Sequence, residues 1–103
     1  MAATVKNTGD IDVICQKADA LAPGQMASIV FKCWDDPSPP FTVKVRAPDG
    51  KLILDRVIRN FPKDEPQSAP PVTFTATDAG VYKIQISELY GKLEGEADLT
   101  VNG

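Results

Sequence analysis

From Met26 onward the apolar residues of this chain recur at every second position, and the interruptions are clusters of proline and glycine. A period of two sends successive side chains to opposite faces of an extended strand, whereas a helix needs spacings of three and four. Ala27, Ile29, Phe31 and Cys33 share one parity, with Ser28 and Lys32 between them and Val30 as the apolar exception on the outer side. Phe41, Val43 and Val45 alternate with Thr42, Lys44 and Arg46. Tyr82, Ile84 and Ile86 alternate with Lys83, Gln85 and Ser87, and Leu93, Ala97, Leu99 and Val101 hold a common parity. Val72 and Phe74 make a short strand. Residues 51–59 are less regular: Leu52, Ile53 and Leu54 are contiguous, and Val57 and Ile58 follow two charges, so this strand is expected to change face midway. Ile11, Val13 and Cys15 predict a first strand, with residues 2–6 pairing separately, and residues 16–21 have room for one helical turn.

The punctuation is equally regular. Ala22-Pro23-Gly24, Asp36-Pro37-Ser38-Pro39-Pro40, Ala47-Pro48-Asp49-Gly50, Asp78-Ala79-Gly80 and Tyr90-Gly91-Lys92 each supply turn-forming residues. Residues 60–71 hold four prolines and the Lys63-Asp64-Glu65 charges, which excludes a central strand there. With 103 residues there is material for one core. The expected fold is therefore all-β: one domain, residues 1–103, built as a seven-strand immunoglobulin-like antiparallel β-sandwich. Phe31, Tyr82, Ile84, Ile86, Leu99 and Val101 are expected in its core.

Composition narrows the function. Histidine is absent, which removes the commonest general base and metal ligand. Eleven Lys plus Arg against 14 Asp plus Glu leave a net charge of −3, so neither nucleic acid nor a membrane is expected as a partner. No run reaches the roughly 20 apolar residues of a membrane helix, and the N-terminus does not read as a signal peptide. Asp35, Asp36 and Asp49, or Asp10 and Asp12, read as turn caps rather than calcium ligands, because no ordered ligand loop surrounds them. No nucleophile turn or phosphate loop occurs. The expectation is a protein without enzymatic activity and without a cofactor. Cys15 and Cys33 can either close one loop or stand as small hydrophobes.

Asp78-Ala79-Gly80-Val81-Tyr82 matches the Asp-x-Gly-x-Tyr tyrosine corner of immunoglobulin domains, in which the ring fills the core edge and the hydroxyl returns to upstream backbone. The following residues 90–101 resemble the closing hairpin of intracellular I-set domains from muscle and cytoskeletal proteins, and Pro23-Gly24 with the Ala27, Ile29, Phe31 alternation is similar to that family's second strand. Phe31 and Ile84 occupy the positions of the family's two cysteines, so the inter-sheet disulfide is absent. The stretch 74–82 resembles equally the corresponding corner of filamin repeats, and 41–50 is similar to the filamin strand that ends in a Pro-x-Gly turn.

The resemblance implies a protein–protein interaction or spacer module of a larger cytoskeletal or muscle-type protein, cytoplasmic, monomeric in isolation, and binding protein partners or neighbouring repeats. The alternative is a bacterial or extracellular immunoglobulin-like module serving adhesion or an attached enzyme. The reducing compartment of the first reading favours two thiols at Cys15 and Cys33. In filamin-type repeats a partner strand adds beside the strand here formed by Phe41 to Arg46. On that analogy the partner-binding residues are Thr42, Lys44 and Arg46, with Lys51 and Ile53 lining the neighbouring groove. Six of the 11 basic residues fall between Lys44 and Lys63, while the C-terminal hairpin carries Glu88, Glu94, Glu96 and Asp98. Surfaces of opposite sign can dock successive domains, or stand as ordinary solvated faces.

Overall fold

Among the described residues the alternating segments pair into eight strands. A computed structural model describes residues 3–33, 39–59 and 71–103. In order come β1 (Ala3–Gly9), β2 (Ile11–Gln16), a 3-10 turn (Ala18–Ala20), β3 (Gln25–Cys33), β4 (Phe41–Arg46), β5 (Leu52–Ile58), β6 (Val72–Ala76), β7 (Gly80–Glu88) and β8 (Glu94–Val101). They form a five-stranded sheet, β1-β8-β7-β4-β5, and a three-stranded sheet, β2-β3-β6, antiparallel throughout. This is a β-sandwich, compatible with the immunoglobulin-like fold. The count is eight rather than seven because the N-terminal stretch is two strands, one given to each sheet. The irregular segment 60–70, Trp34, Asp35 and Asp36 lie outside the described residues.

The core lies between the sheets and is made by the inward parity of each strand. Phe31, Tyr82, Ile84, Ile86, Leu99 and Val101 are all buried, together with Ile11, Val13, Ile29, Phe41, Val43, Val45 and Phe74. Val30 is also buried, although its parity points away from this core. The Tyr82 hydroxyl donates to the Asp78 carbonyl at 2.7 Å and accepts from the Asp78 N–H at 3.1 Å, so the tyrosine corner is formed. Its ring leans on Phe74 of the opposite sheet, with centroids 5.7 Å apart.

At the N-terminal corner the chain leaves one sheet for the other. Gly9, at φ +103°, pairs with Gly95, and the Asp10 N–H then donates to the Glu94 carbonyl at 2.7 Å. A side chain at Gly95 would be driven into the Ile11 carbonyl oxygen, so the crossing requires glycine there. Beyond the crossing β2 pairs with β3 alone and is the end strand of the smaller sheet.

The β2–β3 register also decides the cysteines. Cys15 sits opposite Ile29 and Cys33 opposite Ile11, four positions apart along the ladder. At ~3.3 Å per residue that separates them by about 13 Å, beyond the reach of a disulfide. They are not bridged: Cys33 is buried and Cys15 half-buried.

Candidate interaction surface

Phe41–Arg46 is hydrogen-bonded on both sides, to β7 with Lys44 opposite Gln85 and to β5 with Lys44 opposite Asp55. Its backbone therefore has no vacant side, and the expectation that a partner strand adds beside it is corrected by the topology. The end of the sheet is one strand further out, at β5. What separates the two arrangements is whether 52–58 returns into the same sheet, a long-range pairing that alternation within 41–46 does not report.

The five residues singled out from the sequence fall into two groups. Thr42, Lys44 and Arg46 share the outer face of β4, opposite Val57, Asp55 and Leu52 of β5 respectively. Lys51 and Ile53 lie where the chain turns from β4 into β5, next to Arg46. Gly50 N–H donates to the Ala47 carbonyl at 2.8 Å, and Ala47 N–H to the Lys51 carbonyl at 2.8 Å, with Gly50 at φ +87°. Asp49 accepts from the Lys51 N–H at 2.9 Å, the turn-capping role expected of it, and the Arg46 guanidinium donates to the Gly50 carbonyl at 3.2 Å. Ile53 occupies the extra position of a bulge, since Val45 pairs with Leu54 and Arg46 with Leu52. The change of face expected within 51–59 is this bulge.

The sequence reading missed β5 as an edge, and with it Leu52, Arg56 and Val57. Leu52 and Ile53 are each 39 % exposed and Val57 is 45 % exposed. Arg56 shares the inward face with Val43, yet Val43 is wholly buried and Arg56 is exposed. Leu54 and Ile58 of β5 pack against the core, whereas Arg56 between them does not. The signal was present in 52–58: apolar and charged residues without a clean period mark a strand that buries neither face fully.

The charge asymmetry lies across the outer face. Glu94, Glu96 and Asp98 form a row on β8, and Lys83 and Gln85 stand between that row and Lys44 and Arg46. Lys83 bridges Asp98 at 2.9 Å and Gln85 donates to Glu96 at 3.2 Å, so part of the acidic row is answered within the chain. These pairs are exposed and add little stability. The β7–β8 loop presents Leu89 and Tyr90, the latter 86 % exposed, above a carboxylate clamp in which Glu88 Oε1 accepts from the N–H groups of Lys92 and Leu93, both at 3.0 Å.

No family model matches the chain, and no curated protein or solved structure matches it either. Among the described residues no group of three or more Cys, Asp or Glu could hold a metal ion, and no helix is long and apolar enough to cross a membrane.

Proposed function

We propose that the chain is a non-catalytic protein–protein interaction module that takes up an extended segment of its partner as an added strand beside β5. The observation that carries this reading is the edge itself. Among the described residues β5 ends the larger sheet, exposes Leu52, Ile53 and Val57, and sits among Lys44, Arg46, Lys51, Arg56 and Arg59 against Asp49 and Asp55. An edge strand offers unpaired N–H and C=O groups to an incoming chain, and its side chains supply the selectivity. Thr42, Lys44 and Arg46 then lie behind β5, two strands in from the docked segment, and Lys51 and Ile53 at the turn end of β5. A cytoskeletal, muscle-type or extracellular parent is compatible with such a module, and the family resemblance favours the intracellular ones.

The test is selection of extended peptides from a displayed library, followed by binding to an Ile53→Lys/Val57→Lys variant. Loss of binding with the fold intact supports the reading, since lysines on an edge oppose strand addition. Ligands that bind parent and variant equally overturn it.

A further inference from the structure

The strand-addition reading leaves open what the incoming strand must look like, and β5 holds the pattern. Three of its residues face the inter-sheet side: Leu54 and Ile58, both half-buried, and Arg56 between them, exposed. The Arg56 side chain makes no hydrogen bond or ion pair among the described residues. An added strand would lay its own inward side chains directly beside these three. Cross-strand neighbours on one face act pairwise, and opposite charges attract while like charges repel.

We infer that the partner segment carries an acidic residue flanked at two positions on either side by apolar ones, apolar–x–acidic–x–apolar, with the acid set opposite Arg56 and the apolar residues opposite Leu54 and Ile58. The intervening residues face Asp55 and Val57 and are uncharged or basic. The pattern reads the same in both directions, so it holds for parallel and antiparallel addition. Charge complementarity points the same way: five cations and two carboxylates surround this edge in a chain whose net charge is −3.

A second copy of the chain is a poor occupant. Two β5 strands related by a two-fold axis must pair residues of equal parity, because the axis stands perpendicular to the sheet and keeps each face on its side. The register that centres the strand then opposes the two Asp55 carboxylates, and the next one along opposes the two Arg56 guanidinium groups. Charges placed this way guard an edge against its own kind while leaving it open to a complementary strand.

The test uses short capped peptides containing Val-Thr-Glu-Thr-Ile, or the same with Lys for Glu, titrated into the protein and followed by amide NMR shifts. The expected result is shifts along Leu52–Ile58, binding about tenfold tighter for the acidic peptide, and reversal of that preference in an Arg56→Glu variant with an undisturbed spectrum. Equal binding of both peptides at β5, indifferent to Arg56→Glu, overturns the acidic rule and leaves strand addition standing. Shifts elsewhere, or no binding by any peptide, overturn both. Shifts at β5 on concentrating the protein alone, with a doubled mass in sedimentation, overturn the inference in favour of self-pairing.

Discussion

The side-chain amide of Asn7 is bound to both backbone groups of Val13: Asn7 Nδ2 donates to the Val13 carbonyl at 3.0 Å and Asn7 Oδ1 accepts from the Val13 N–H at 2.8 Å. Asn7 belongs to one sheet and Val13 to the other. β2 is an end strand, and at its middle a side chain supplies what a neighbouring strand would have supplied. One end strand is thus sealed from within, whereas among the described residues no side chain does the same for β5 at the far end of the larger sheet.

Replacing Asn7 by alanine leaves the Val13 groups without these partners, and Val13 is itself almost wholly buried. The expected cost is about 1 to 3 kcal/mol in urea denaturation, with faster hydrogen exchange at the Val13 amide. Asn7→Asp is expected to do no better, since it keeps the acceptor, loses the donor and sets a carboxylate against a carbonyl oxygen. An unchanged midpoint with unchanged exchange at Val13 would refute the role.

The tyrosine corner separates packing from hydrogen bonding. Tyr82→Phe keeps the ring against Phe74 and removes both contacts to Asp78, for a loss of about 0.5 to 2 kcal/mol. Phe31→Ala removes a buried ring from the opposite sheet and should cost about 2 to 5 kcal/mol. Calorimetric melting of the two variants should rank them in that order; Tyr82→Phe as damaging as Phe31→Ala would show that the hydroxyl does more than close the turn.

The Glu88 carboxylate organises the loop that displays Tyr90. Charge-assisted bonds to the Lys92 and Leu93 N–H groups make Glu88→Ala cost about 1.5 to 3 kcal/mol. Gly91→Ala should disturb the same loop, because a side chain there meets the Glu88 carboxylate. Both variants are expected to raise amide exchange in residues 89–93 while leaving β5 unchanged. Equal exchange in parent and variants would mean that the carboxylate is not what holds the loop.

Burial pushes the Cys15 thiol above its ordinary value of 9.0, because desolvation disfavours the thiolate. The folded chain therefore holds this proton to higher pH than the unfolded chain does. The associated stability is complete below the unfolded pKa and is lost as pH rises through the folded one. The denaturation midpoint should fall as pH rises above about 9 in the parent and fall less in Cys15→Ala. Iodoacetamide should modify Cys15 more slowly in the native protein than in urea; equal rates would contradict the burial.

How much of this was legible beforehand depends on the range of the interaction. Tyr82, Ile84 and Ile86, or Phe41, Val43 and Val45, declare a buried face through local alternation, because a strand's side-chain period is a property of its own backbone. The turn at 47–50 and the corner at 78–82 were likewise readable, since proline, glycine and a short acid act within four or five residues. The amino-acid order by itself therefore determined strands, turns, the inward parity and an all-β sandwich. It did not determine neighbours. Whether Phe41–Arg46 or Leu52–Ile58 ends the sheet, whether Cys15 can reach Cys33, and whether Asn7 meets water or Val13 are matters of register and of which sheet each strand joins. Those choices are made by contacts between distant segments competing for one core, and only the tertiary structure decided that Arg56 stands exposed while Val43, paired with it, is wholly buried.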